Sequence, residues 1–382
     1  MSLKSVALFS WGLSGGAITN VVATLAKGFV ALKVPKVYIV YLHDAKGKRV
    51  DLPPEVELIP LGVKQTKLSF VAIARFLRRY QPDIFISLAF LNLPSIVGYL
   101  LAGKIPTKLI ISQHNSMLYQ AEVEHQGNWL FQAQVWLAKY LYPFASGLVA
   151  TTQPVLAELT QQIGIALPNT QTKVIPNALD IKRIKIQGQK PATHPWLVNK
   201  DTPVIVSVGR LAKQKNFPLL LAALKLVRAK IPARLIIFGE GKEREELTKL
   251  IQEMDLAEHV SLAGFCPNPY AEMAQADVFA LASEEEAFGL VLVEAMVSGT
   301  AVVATDAMGA GPRSIIEADR YGLLVPNRNS QELAQAISQI LTDFEQRDRF
   351  ILAGYQKCQL YQPEIVVQQW LDFSEQLLTN NH

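Results

Sequence analysis

The sequence predicts an α/β protein built of two doubly wound, Rossmann-like domains facing a central cleft. Three observations predict it. The chain is 382 residues long, more than one core usually organises. Short Val- and Ile-rich runs alternate with amphipathic stretches, as in parallel sheets covered by helices on both faces. That alternation stops near residue 182, gives way to an aperiodic stretch, and restarts at 204. Half the residues are hydrophobic and 18% are charged, values that exclude a disordered or collagenous chain and leave apolar material for two cores.

Taken in order, strands are expected at 6–10, 37–42, 84–88, 109–112, 147–150 and 173–175. The first ten residues carry one lysine and a run of four apolar residues, too few for a signal peptide and sufficient for a first strand. Residues 84–103 are uncharged and long enough to cross a bilayer, but Asn92, Pro94 and Ser95 divide them into a strand and a helix beginning near Pro94. A soluble, cytoplasmic chain is expected. The N-terminal domain is placed at 1–185. Residues 186–200, rich in Lys, Gln, Gly, Pro and Asn, read as a linker. A second domain at 201–360 has strands at 204–208, 234–238, 260–262, 278–281, 301–304 and 322–325, and a last helix occupies 361–382. The two cysteines, Cys266 and Cys358, suit a reducing compartment and neither a disulfide framework nor structural zinc.

The net charge of +4 hides an asymmetry: residues 1–185 hold 19 Lys and Arg against 9 Asp and Glu, whereas the remainder holds 18 against 24. Nucleic acid, an anionic membrane surface or an acidic substrate could each explain the basic half, as could chance; of these, nucleic acid is not carried forward as an expected partner.

The sharpest chemical signal is Glu286-Ala-Phe-Gly-Leu-Val-Leu-Val-Glu294. With a helix starting near Phe288 and Gly289, Glu286 lies ahead of it and Glu294 inside it, and Phe288, Gly289 and Leu290 are expected to border the donor. The two carboxylates are then separated by roughly 12 Å along the axis, about the length of a nucleotide-diphosphate sugar. The helix start offers unpaired N–H groups and a partial positive charge to a diphosphate between the two carboxylates. On spacing alone, an acidic helix start ahead of a buried helix explains the same residues equally well. Upstream, a strand empties into Gly209-Arg210 and then Lys213 and Lys215, a loop whose cations suit phosphate. The chain has no Asp-x-Asp pair to hold a metal-diphosphate complex, so fixed cations take that role and neither metal nor cofactor is expected.

Gly209-Arg210 with Lys215, Gly239-Glu240-Gly241, Gly264-Phe265, Glu286 to Glu294 and Gly322-Leu323-Leu324-Val325-Pro326 follow one another in the order found in the C-terminal domain of the GT-B fold, retaining glycosyltransferases of family 4. The chain resembles that family over about residues 204–340. The resemblance implies that Glu286 contacts the donor sugar, Glu294 the ribose, and Arg210 and Lys215 the diphosphate, with Gly264 and Phe265 bordering the base. The N-terminal half is similar more loosely. Ser14-Gly15-Gly16-Ala17 resembles the family's glycine loop, where small residues admit the donor. Ile18-Thr19 follows where many members carry a glutamate. His114, after the strand at 109–112, would point toward sugar or phosphate. Gly311-Pro312-Arg313-Ser314 departs from the family pattern at Ser314, which receives no role.

A helical wheel over 64–80 gathers Lys64, Lys67, Arg75, Arg78 and Arg79 on one arc with Leu68 and Val71, opposite Phe70, Ile73, Phe76, Leu77 and Tyr80. Cations among exposed apolar side chains suit an anionic membrane or a lipid-linked acceptor. Trp129, Trp136 and Tyr140 share another face, and an aromatic stripe at that spacing is expected in the core.

The expected activity is retaining, metal-independent transfer of a hexosyl or N-acetylhexosaminyl group from a nucleotide-diphosphate sugar, UDP favoured over GDP. The acceptor is a hydroxyl on a lipid-linked or other cell-envelope glycan, reached at the inner face of the membrane. A nucleotide-sugar epimerase on the same fold is the alternative. A dinucleotide-dependent oxidoreductase fits less well, because neither Gly12, Gly15 and Gly16 nor Gly239 and Gly241 complete G-x-G-x-x-G.

Overall fold

The computed structural model describes residues 2–13, 17–42, 51–63, 68–89 and 92–379, which form two compact units, 1–179 with 361–382 and 180–360.

The first unit is a seven-stranded, wholly parallel sheet of β1 (Ser5–Ser10), β2 (Lys36–Tyr41), β3 (Val56–Pro60), β4 (Ile84–Ser87), β5 (Lys108–Gln113), β6 (Gly147–Ala150) and β7 (Thr172–Val174), ordered β3-β2-β1-β4-β5-β6-β7. Its chief helices are α1 (Ala17–Ala31), α2 (Ser69–Tyr80), α3 (Leu93–Ala102), α4 (Met117–Tyr119), α5 (Trp129–Leu141) and α6 (Gln153–Ala157). β4 and β6 are buried along their whole length, which is why their sequences are unbroken apolar runs rather than alternating ones. The strand β3 carries Glu57 and Pro60 at the sheet edge, and no strand was expected there.

The wheel over 64–80 holds for its described part: Ile73, Phe76 and Leu77 are buried, while Arg75, Arg78, Arg79, Leu68 and Val71 are exposed. Lys64 and Lys67 lie outside the described residues. The aromatic stripe is corrected: Trp129 is 71% exposed, Trp136 61% and Tyr140 52%. Of α5 only Ala138 is buried, and Phe131, Gln134 and Val135 are half-buried.

The second unit opens with the stretch read as a linker, and that reading is also corrected. α7 (Ile181–Gly188) is capped by Asp180, whose Oδ1 accepts from the Arg183 N–H at 3.0 Å. α8 (Pro195–Val198) follows. Between them Thr193 donates through its N–H to Glu272 Oε1 at 2.7 Å. Ile181, Ile184 and Leu197 are buried, so three apolar residues among many polar ones fix a segment whose composition suggests a tether.

The six-stranded parallel sheet of this unit has β8 (Val204–Val208), β9 (Arg234–Phe238), β10 (Val260–Gly264), β11 (Val278–Leu281), β12 (Val302–Thr305) and β13 (Leu323–Val325), ordered β10-β9-β8-β11-β12-β13. Its helices are α9 (Phe217–Arg228), α10 (Arg244–Glu253), α11 (Pro269–Gln275), α12 (Leu290–Val297), α13 (Gly311–Ile316), α14 (Ser330–Thr342) and α15 (Phe344–Cys358). The core beneath α9 and α14 is built from Leu220, Leu224, Ile237, Val303 and Ile337, all fully buried. Cys266 and Cys358 are free thiols.

The last helix, α16 (Pro363–Thr379), belongs to the first unit. Val366, Val367, Trp370 and Phe373 are buried there. The fit is close: a Cβ on Gly28 of α1 would fall 2.3 Å from Val367 Cγ2, and one on Gly147 of β6 would fall 2.8 Å from Leu377 Cδ1. No helix among the described residues is long and apolar enough to cross a membrane, and β4 with α3 replaces the uncharged run at 84–103.

Candidate active site

In the second unit the strand order reverses at β8, which lies between β9 and β11. Open α/β sheets take ligands outside their strand C-termini at such a reversal. The loops leaving β8 and β11 carry the residues singled out in the sequence, and the structure brings them together.

The β8 loop passes through Gly209 and Arg210 into a short helical turn, Lys213–Lys215, ended by Asn216 at φ 46°. That left-handed position is one asparagine tolerates better than most residues. The loop has little freedom. Gly209 N–H donates to Phe238 O at 3.0 Å and Leu211 N–H to Glu240 O at 3.0 Å. A Cβ on Gly239 would lie 1.9 Å from Gly209 O, and one on Gly241 2.1 Å from Leu211 O. Gly239-Glu240-Gly241 is therefore a close backbone seam against the β8 loop, which accounts for its glycines without any dinucleotide.

The β11 loop is held from two sides. Glu284 N–H donates to Gln214 O at 2.9 Å, and the Gln214 amide donates to the Glu285 carboxylate. On the other side Glu286 N–H donates to Met308 O at 2.8 Å, and Gly311 N–H donates to Glu286 O at 2.8 Å. A Cβ on Gly311 would lie 2.5 Å from that same carbonyl, so the glycine of the Gly311-Pro312-Arg313-Ser314 loop is needed for close approach. Arg313 pairs with Asp306, and Ser314 Oγ donates back to Ala310 O at 2.9 Å.

Between these loops Lys215 Nζ meets Glu286 Oε2 at 2.5 Å, with both side chains mostly shielded from solvent. Arg210 is exposed and forms no ion pair among the described residues. Gly289, at φ 91°, caps α12, so the chain turns from Glu286 into the helix at a position that disfavours any side chain. Phe288 is buried. Leu290 begins α12. Glu294 follows one turn later, where Tyr270 Oη donates to its Oε1 at 3.3 Å. Desolvation raises the Glu294 pKa to about 7, against the opposing pull of the Tyr270 hydrogen bond and the Arg183 charge. The rest of the Glu294 surroundings, Tyr270 on α11 and Arg183 on α7, lay outside the sequence reading. Arg183 lies just ahead of the segment read as a linker, at the end of the residues assigned to the N-terminal domain, and nothing in the local sequence marks Tyr270.

At the end of β10, Gly264 has φ 79° and its carbonyl accepts from Gly239 N–H at 2.8 Å, while Phe265 beside it is 78% exposed. An open aromatic ring on a glycine-fixed turn is a surface on which a flat base can stack.

In the first unit Gly15 and Gly16 lie outside the described residues. His114 follows β5, with Nε2 2.9 Å from Ser112 Oγ. Desolvation lowers its pKa to about 4, opposed by its hydrogen bond to Asn177, so the imidazole is neutral near pH 7. Among the described residues no group of three His, Cys, Asp or Glu side chains is placed to hold a metal ion.

Residues 15–183 match the family described as Glycosyltransferase Family 4, and residues 190–357 match Glycosyl transferases group 1. The chain is 31% identical over 361 residues to the N-acetylgalactosamine-N,N'-diacetylbacillosaminyl-diphospho-undecaprenol 4-alpha-N-acetylgalactosaminyltransferase of Campylobacter jejuni, covering 91% of this chain and 93% of that one. It is 28% identical over 211 residues to the poly(ribitol-phosphate) alpha-N-acetylglucosaminyltransferase of Staphylococcus aureus, covering 54% of this chain and 43% of that one. Among solved structures, sucrose-phosphate synthase of Thermosynechococcus elongatus superposes with a TM-score of 0.80 at 22% identity, covering 98% of this chain and 99% of the other. HepE of Anabaena, in complex with UDP and glucose, superposes with a TM-score of 0.76 at 22% identity, covering 97% and 98%. Two parallel-sheet units, a switch-point pairing of Lys215 with Glu286, and these likenesses along nearly the whole length establish that the chain belongs to the group 1, family 4 glycosyltransferases of GT-B fold.

Proposed function

We propose that this glycosyltransferase moves a hexosyl or N-acetylhexosaminyl group from a UDP-sugar to a hydroxyl of a lipid-linked cell-envelope glycan, with retention and without a metal ion. The observation that carries the reading is the Lys215–Glu286 pair at the start of α12. A diphosphate is a stronger partner for an ammonium than a single carboxylate is. Donor binding then draws Lys215 onto the diphosphate and frees the Glu286 carboxylate to accept a sugar hydroxyl. Glu294 accepts from the ribose, and Phe265 stacks on the base. Arg210 and Lys215 stabilise the charge that grows on the departing diphosphate, the role a metal plays elsewhere. As the bond from the anomeric carbon to the diphosphate oxygen breaks, the acceptor oxygen bonds to that carbon on the same face. Its proton passes to the departing diphosphate oxygen, so no protein nucleophile is required.

UDP is favoured because HepE was solved with UDP and glucose on a fold of this kind. The lipid-linked acceptor is favoured because the Campylobacter relative is a diphospho-undecaprenol transferase. The basic face of α2, with Arg75, Arg78 and Arg79 exposed, suits an anionic membrane surface or the phosphates of such an acceptor, and peripheral association at the inner face of the membrane follows. Thermal stabilisation by UDP, GDP and ADP with and without EDTA tests the donor reading. A shift with UDP that survives EDTA supports it. A shift that EDTA abolishes overturns the metal-independent step, and a shift with GDP alone overturns the choice of base.

A further inference from the structure

α5 is amphipathic in an unusual sense: its outward face is the apolar one. Trp129, Trp136, Tyr140 and, just past the helix, Phe144 recur at helical spacing and are each more than half exposed. The rings of Trp136 and Tyr140 lie 4.9 Å apart, so they form a continuous surface. Isolated exposed apolar residues need no explanation, but a contiguous aromatic stripe marks an interaction site.

Its surroundings select the partner. α5 packs on α3, and α3 on α2. Leu100 and Leu101 of α3 and Leu68 and Val71 at the start of α2 are exposed as well. The Arg78 guanidinium crosses from α2 to donate to the carbonyls of Leu101 and Ala102. None of the three helices contains an Asp or Glu, whereas Arg75, Arg78, Arg79 and Lys139 are exposed on them. Trp and Tyr settle at the headgroup level of a bilayer, and Arg and Lys there meet anionic lipid.

We infer that the α5 face, Trp129, Trp136, Tyr140 and Phe144, is the element that inserts into an anionic phospholipid bilayer, with the α2 arginines as its electrostatic partner. The inference takes its partner, a membrane surface, from the proposed function and assigns the insertion to residues which that proposal does not use. An aromatic face supplies the apolar burial that arginines alone lack, and cations alone give binding that salt disperses.

The test is co-sedimentation of the full chain with vesicles of phosphatidylcholine alone and with 30% phosphatidylglycerol. Quenching of tryptophan emission by brominated phosphatidylcholine is read in parallel. Wild type should bind the anionic vesicles and be quenched. Trp129→Ser with Trp136→Ser should lower vesicle binding at least about tenfold. The same double variant should keep wild-type turnover on a water-soluble acceptor in detergent. Retained binding by that variant, with loss in Arg75→Ser and Arg79→Ser, overturns the insertion while leaving membrane association intact. No vesicle binding by wild type overturns both. Concentration-dependent dimerisation lost in the tryptophan variant, without vesicle binding, assigns the face to a second copy of the chain and overturns the inference.

Discussion

Lys215 Nζ and Glu286 Oε2 lie 2.5 Å apart, so the cation proposed for the diphosphate and the carboxylate proposed for the sugar are each other's partners in this structure. Their loops leave β8 and β11, the two strands at the sheet reversal, and Gln214 ties one loop to the other. In the proposed binding mode the donor replaces this ion pair.

Lys215→Ala should lower kcat by about 10²–10³, the usual scale for losing one preorganised group at a developing charge. Glu286→Ala should lower it comparably. The double variant should lose less than the product of the two, because each single change strands the other group. Steady-state kinetics on the four proteins decides this, and strict multiplicativity would show that the two side chains act independently.

In the proposed donor complex ribose hydroxyls donate to the ionised form of Glu294, whose pKa burial raises to about 7. Donor affinity should therefore rise as pH goes from 6 to 8 and fall about tenfold per unit below the pKa. The Tyr270 hydrogen bond lowers that pKa, so Tyr270→Phe should move the midpoint to higher pH with little change in affinity at pH 9. Calorimetric titration with UDP across pH, with Glu294→Gln as the variant lacking the transition, provides the comparison. A midpoint unmoved in Tyr270→Phe removes the phenol from this role.

Two groups give the unliganded protein opposing pH dependences. The Glu294 pKa is raised from 4.5, so the folded state binds more protons and its contribution to stability declines as pH rises from 4.5 through 7. The His114 pKa is lowered from 6.5 to about 4, so its contribution is complete above 6.5 and is lost as pH falls toward 4. Denaturant unfolding of His114→Gln should show a flatter acid limb, and that of Glu294→Gln a smaller decline toward neutrality. Identical profiles in wild type and His114→Gln would rule out the desolvated imidazole.

Gly239→Ala places a methyl 1.9 Å from Gly209 O, against backbone that cannot step aside without moving the β8 loop. Overpacking of this kind costs typically about 1–3 kcal/mol. The variant should melt several degrees lower and bind UDP weakly, since Arg210 and Lys215 travel with that loop. Unchanged UDP affinity would mean that the strain is absorbed on the β9 side.

The strands of both sheets were legible because parallel strands buried on two faces are written as short, nearly continuous apolar runs, as in Val204–Val208 and Val278–Leu281. Edge strand Val56–Pro60 was missed because half of it faces solvent. The Glu286 to Glu294 segment was legible because its function and its helix start coincide in sequence. Tyr270 and Arg183 were not, because they reach Glu294 across tertiary contacts from α11 and α7. The aromatic face of α5 was misassigned for a related reason: periodicity shows that side chains share a face and is silent on whether that face turns inward.

The seating of α16 on α1 and β6 bears on the order in which the chain matures. During synthesis residues 2–179 emerge before 180–360, yet Val367, Trp370 and Phe373, which close the apolar core of the earlier segment, emerge after both. Residues 180–360 are contiguous and can complete their sheet while the earlier segment still waits for its final helix. The unit begun before the other is thus finished after it, and a ribosome stalled before residue 361 would display a folded second unit beside an unsealed first core.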